Sequence, residues 1–329
     1  MDRQDYIYAS ARIRVFEKKL LKKEQVMRLV QAADDQEFLR FLQESDYGKD
    51  LQVVERQEDF HAALDQHWNR ILKEVLEMAK DTGLVELIRL RYVYHNYKVL
   101  IKEHILQQDL SRLYLDVPDM DPRELKNDLE IGETGLVPDF LYTVLKDYEE
   151  NKDVQRIDLL LDRMYFEEML EQAETLEEPL FKDFVLSRID FANIKALMRL
   201  KAQGVDYQLL DDIYLPGARL DKETFRSLYN EEPQQVVDRL SKQIPGSVME
   251  KAKRSFEANH SLTQLDKLFD DALMDNLRDR SRVTFGPEVL LAYLSAKEKE
   301  IANLRMIYTS LVAGISADRI EERLRDSYV

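Results

Sequence analysis

Tyr94-His95-Asn96-Tyr97-Lys98-Val99-Leu100 recurs as Phe191-Ala192-Asn193-Ile194-Lys195-Ala196-Leu197, and again as Ile301-Ala302-Asn303-Leu304-Arg305-Met306-Ile307. In each copy an asparagine stands two places before a basic residue. The asparagines lie 97 and 110 residues apart. A second match has nearly the same period: Leu113-Tyr114-Leu115 followed by Asp121 returns 100 residues later as Ile213-Tyr214-Leu215 followed by Asp221. Either match alone is weak, but a shared period is the signature of an internal repeat. Upstream of each asparagine is an aromatic with a leucine four residues on: Trp68 with Leu72, Phe166 with Leu170, Phe269 with Leu273. The first two aromatics precede their asparagines by 28 and 27 residues and the third by 34, the extra length falling at an inserted loop around Phe285-Gly286-Pro287. The chain therefore reads as three related units, 1–117, 118–217 and 218–329, with joints near Asp116 to Met120 and Pro216 to Arg219. At about 100 residues each they have the commonest domain size. That period is too long for a solenoid of small repeats, so a compact pseudo-symmetric trio is expected.

The units are helical. Nine glycines and eight prolines in 329 residues are few, and long tracts of Leu, Glu, Lys, Arg, Gln, Met and Ala favour helix. From Glu58 to Met78 apolar residues recur at Leu64, Trp68, Ile71, Leu72, Val75 and Leu76, the three-and-four spacing of one buried face. The same spacing runs through Leu159 to Leu170, Leu180 to Leu200, Leu262 to Leu277 and Pro287 to Val312, and no strand alternation interrupts it. Asp121-Pro122-Arg123-Glu124 offers a cap, a first-turn proline and a reciprocal glutamate, and Gly204 suits a left-handed helix stop.

On a helix, Phe191, Ile194, Leu197 and Met198 form one stripe, with the asparagine and the basic residue on its opposite flanks. Two roles follow for Asn96, Lys98, Asn193, Lys195, Asn303 and Arg305. They join neighbouring helix ends, the asparagines by hydrogen bonds and the basic residues by snorkelling, or they contact a partner; packing is the preferred role.

Lys and Arg number 48 against 64 Asp and Glu, a net charge of −16. Such a surface repels nucleic-acid phosphates and anionic lipid heads, so basic protein surfaces are the expected partners. The absence of cysteine excludes disulfides, thiolate zinc sites and a cysteine nucleophile. Residues 1–10 carry Asp2 and Asp5 and lack the apolar core of a secretory signal, so export is not expected. The longest apolar runs, such as Val289 to Leu294, fall far short of the roughly 20 residues of a membrane-spanning helix.

Catalytic constellations are thin. Gly132-Glu133-Thr134-Gly135 lacks the lysine of a phosphate-binding loop and reads as a turn. His61, His67, His95, His104 and His260 include no i, i+4 pair to hold a metal. In Phe269-Asp270-Asp271-Ala272-Leu273-Met274-Asp275, Asp271 and Asp275 share a helix face and are spaced to chelate magnesium, as in helical isoprenoid enzymes. With 64 acids in the chain and no second acid-rich motif facing them, a solvated acidic face is preferred.

Tyr6-Ile7-Tyr8-Ala9-Ser10-Ala11-Arg12-Ile13-Arg14, then Glu17, Leu20, Leu21, Glu24-Gln25 and Tyr47-Gly48, resembles the start of the C subunit of bacterial and archaeal A/V-type ATPases, the counterpart of the eukaryotic V-type d subunit. Gly286-Pro287-Glu288-Val289 through Tyr293, then Lys297-Glu298-Lys299-Glu300-Ile301-Ala302-Asn303-Leu304-Arg305-Met306-Ile307, is similar to that family's most recognisable segment, and Tyr328-Val329 fits its close. The middle third is carried mainly by Asp190 to Gly204. The resemblance implies a funnel of three helical domains about a pseudo-threefold axis. It further implies a non-catalytic, cofactor-free subunit in one copy per complex, monomeric alone, cytoplasmic and peripheral to the membrane. The rotor shaft enters its cavity, the membrane proteolipid ring lies against its other face, and torque passes through it. The alternative is an unrelated helical scaffold or adaptor.

Overall fold

Helix propensity prevails along most of the described residues. The computed structural model describes residues 2–54, 59–79, 83–131, 135–204, 210–240, 254 and 262–325, and among these residues helices and turns form and no strand does. A short 3-10 helix, Arg3–Tyr6, leads into helix α1 (Ile7–Glu17). Then one order recurs: two short helices followed by two long ones. The first round is α2 (Lys23–Val30), α3 (Asp35–Gln43), α4 (Asp59–Met78) and α5 (Gly83–Leu106), and the second is α6 (Pro122–Ile131), α7 (Asp139–Asn151), α8 (Val154–Thr175) and α9 (Pro179–Gln203). After the single turn α10 (Leu210–Ile213) come α11 (Lys222–Tyr229), α12 (Pro233–Leu240), α13 (Leu262–Arg280) and α14 (Pro287–Val312), with α15 (Ala317–Arg323) last.

The ends of these helices are set by local chemistry. Asp34 and Asp153 cap α3 and α8 by accepting from the N–H groups of Glu37 and Gln155, each at 2.8 Å. Asp121 accepts from the Arg123 N–H at 2.8 Å while Pro122 begins α6. Gly204 closes α9 at φ +61°, a left-handed stop that a side chain would strain. Of the turn at 132–135 only Gly135 is described, at φ +68°. Gly132, Glu133, Thr134, Glu58, His260 and Tyr328-Val329 lie outside the described residues.

Two compact units form. One comprises Met1–Leu84, Ile194–Gly204 and Glu223–Val329; the other comprises Val85–Asn193 and Val205–Lys222. In the first, α14 packs against α1, α3, α4, α13 and α15. That crowding explains why α14 buries residues on every side, Val289 to Leu294 without a break. Phe38, Phe60 and Tyr308 meet there, with ring centroids 4.0–5.6 Å apart. In the second unit α7 packs on α8, and Tyr94 lies 5.7 Å from Phe140 and 5.6 Å from Tyr165.

The buried aromatics refine the repeat. Trp68 and Phe269 are buried as their spacing requires, but in α8 the core aromatic is Tyr165, while its neighbour Phe166 is half-buried. Tyr165 precedes Asn193 by 28 residues, the same interval that separates Trp68 from Asn96. Two adjacent aromatics are interchangeable by pattern; helix phase decides which turns inward.

Candidate functional site

The three asparagines are engaged in the same way. Asn96 on α5 donates from Nδ2 to the Leu115 carbonyl at 2.8 Å, and its Oδ1 accepts from the Leu115 N–H at 2.9 Å. Asn193 on α9 grips Leu215, donating at 2.9 Å and accepting at 2.8 Å. Asn303 on α14 grips Arg325, donating at 3.0 Å and accepting at 3.2 Å. A carboxamide matches the two polar groups of one peptide residue as a neighbouring strand would, so each side chain holds an extended segment against a helix that has no backbone groups to spare. The clamped residues lie 19, 22 and 22 positions beyond their asparagines. All three asparagines are buried, so they stand within the packed interior, with the stripe of Phe191, Ile194, Leu197 and Met198 buried beside Asn193.

The basic residue two places on has a different task. Lys98 binds Asp162 on α8 at 2.6 Å, and Arg305 binds Asp65 on α4. Asp65 and Asp162 each stand three residues before the buried aromatics Trp68 and Tyr165, so these two pairs occupy equivalent places. Lys195 holds the same position on α9 and is half-buried. Asp162 is 48% exposed, which limits the Lys98 pair to under about 1 kcal/mol.

A buried charge cluster that the sequence did not reveal lies beside α14. Lys297 and Glu300 bond at 2.7 Å with side chains 1% and 8% exposed. Glu300 also accepts from the Tyr47 hydroxyl at 2.7 Å and from the Leu21 N–H. Tyr47 stacks on His67 with centroids 3.9 Å apart, and Lys297 sits over the Tyr47 ring. His67 Nδ1 lies 2.8 Å from Asp50, which also binds Arg70 at 2.9 Å. Burial and then the positive charge of Lys297 press His67 down to about 4, so its ring is neutral at neutral pH. Burial and then the charge of Glu300 hold Tyr47 well above the phenol range. A Lys-Glu-Lys-Glu run ordinarily marks a solvated face; here its position inside a helix buried on all sides turns Lys297 and Lys299 inward.

The acids with magnesium spacing are otherwise employed. Asp271 is buried and binds the buried Lys299 at 2.8 Å, Asp275 binds Arg278 at 3.2 Å, and Asp270 binds Arg325 at 2.6 Å. Asp271 thus belongs to the α13–α14 packing rather than to a solvated face, because α14 supplies a counter-ion. Burial, opposed by Asp271, lowers Lys299 below the usual lysine range. No group of three or more potential metal ligands occurs among the described residues.

The two terminal signatures meet in the first unit. Ser10 Oγ accepts from the Gly286 N–H at 3.2 Å, Arg3 binds Glu288 at 2.7 Å and donates to the Phe285 carbonyl, and Arg14 donates to the carbonyls of Ser281 and Val283. Phe16 packs on Tyr293 at 5.9 Å.

A profile described as ATP synthase (C/AC39) subunit matches residues 9–323. The chain belongs to that family. Among its relatives, the C subunit of the V-type sodium ATPase of Enterococcus hirae is 27% identical over 274 residues, covering 82% of this chain and 83% of that protein. The C subunit of the A-type ATP synthase of Haloferax volcanii is 25% identical over 340 residues and 96% of each chain, and that of Methanocaldococcus jannaschii is 22% identical over 350 residues, 98% of this chain and 87% of the other. In this C/AC39 family member all three asparagines fall within the matched span. None of its described helices is long and apolar enough to cross a membrane.

Proposed function

We propose that the chain is the non-catalytic central-stalk C subunit of an A/V-type rotary ATPase, receiving the rotor shaft at one end and meeting the membrane proteolipid ring at the other. The observation that carries this is the family match along nearly the whole chain, with relatives named as the C subunits of a V-type sodium ATPase and of A-type ATP synthases. In this proposal the three repeats, 1–117, 118–217 and 218–329, are domains of a funnel about a pseudo-threefold axis. The recurring helix order and the three equivalent clamps support it. So does the order of pairing: Lys98 of the first repeat reaches Asp162 of the second, and Arg305 of the third returns to Asp65 of the first. Asn96, Lys98, Asn193, Lys195, Asn303 and Arg305 then act in packing, keeping the body stiff so that rotation imposed at one end reaches the other. The protein is present once per complex and lies on the cytoplasmic side, held at the membrane by its partners.

Part of the −16 charge faces basic groups on the shaft or ring, which speeds docking and makes it salt-sensitive. The test is to mix the purified chain with shaft subunits and, separately, with the detergent-solubilised proteolipid ring. Both should bind, through interfaces above about 1,000 Å² each. Binding to neither would favour the scaffold alternative, and shaft affinity equal at low and high salt would remove the electrostatic part.

A further inference from the structure

Helix α1 is apolar on two sides. Its inner side, Ala9, Ser10, Ile13 and Phe16, is buried. Its outer side presents Ile7 and Val15, each 49% exposed, Tyr8, 64% exposed, and the exposed Ala11. At 3.6 residues per turn these four form one row, with Arg12 on its flank and Lys18 one turn beyond Val15. The single acid of the helix, Glu17, binds Arg14 at 2.8 Å. Among the described residues of the first unit, the large apolar side chains left exposed are these three on α1 and Val312.

A helix apolar on both sides is normally covered on both. What covers the outer side follows from charge. In a chain of net charge −16, a face bearing only apolar and basic groups selects an acidic, apolar surface. An anionic bilayer has that chemistry, but it would also meet the rest of this acidic surface, which it repels. A narrow partner that touches only the row avoids the repulsion. The row is also held in place before binding, through Arg3 to Glu288 at 2.7 Å and Ser10 to Gly286 at 3.2 Å, so docking need not order it.

We propose that the outer face of α1 docks an amphipathic helix of a neighbouring protein in the ATPase complex, one whose apolar stripe is edged by Asp or Glu. This rests on the chain's place in that complex. Because the chain has no cysteine, Val15→Cys provides a single attachment point on it for a thiol-directed photocrosslinker, attached before the chain is assembled into the purified complex. The expected product joins position 15 to an acidic helical segment of another polypeptide, and Arg12→Glu with Lys18→Glu abolishes it. Ile7→Ser, Tyr8→Ser and Val15→Ser together should raise the rate at which the chain dissociates at least about tenfold, with helical signal and Tm unchanged. Adducts only to phospholipid, only to a second copy of the chain, or none while the chain stays in the complex would overturn the docking proposal. Absence of the chain from the complex would overturn the assignment to the ATPase, and the docking with it.

Discussion

Replacing Asn193 by alanine separates a fully buried clamp from a partly exposed one. Both bonds between Asn193 and Leu215 are buried, at 2.9 and 2.8 Å, so the substitution leaves one N–H and one carbonyl of Leu215 without partners. Each stranded group costs about 1–3 kcal/mol, so the loss should be about 2–6 kcal/mol. The Asn303 clamp is longer, at 3.0 and 3.2 Å, and only part-buried, so water replaces much of what Asn303→Ala removes. That loss should be about 1–2 kcal/mol, and Asn96→Ala, also part-buried, should fall between the two. Urea unfolding followed by circular dichroism gives the global cost. Hydrogen exchange gives the local one: the Leu215 amide should lose protection in Asn193→Ala while amides in α4 keep theirs. If Asn303→Ala costs as much as Asn193→Ala, or if Leu215 exchange does not change, the clamp is not what holds that segment.

Gly286→Ala should loosen α1, because φ is +147° there and a Cβ would press on the Glu288 and Arg3 side chains that pair across this loop; faster proteolysis before residue 20 checks it. Glu300→Gln should cost about 3–5 kcal/mol in urea unfolding by removing the carboxylate that faces the buried Lys297, and Lys297→Met added to it should recover part of the loss. His67 has its folded value near 4 against 6.5 unfolded, so the unfolded chain binds the extra proton between those values and stability falls as pH drops through that window. From pH 6.5 to 5 the contribution is roughly 2 kcal/mol, so denaturation curves of His67→Asn should shift less over that interval than those of the parent.

The fold class was legible because helix periodicity and repeat period are written in residue types: the spacing of Trp68 and its successors, and the recurrence of asparagine before a basic residue, need no tertiary knowledge. The partners of the asparagines were not legible. Leu115 and Leu215 lay in plain view as the second repeated motif, yet their role is played by backbone atoms, which carry no sequence signal, and Arg325 shares none of that motif. The choice of Tyr165 over Phe166 required helix phase. The inward turn of Lys297, Lys299 and Asp271 required knowing that α14 is enclosed on all sides; from composition alone a run of charges belongs in water.

The proposed coupling role is tested most directly by reconstituting the complete ATPase in lipid vesicles with and without this chain and measuring ATP hydrolysis and ion uptake in parallel. Without the chain, hydrolysis should continue while uptake falls to background, and adding the purified chain back should restore uptake. Uptake that stays at its full level in vesicles lacking the chain would contradict the account.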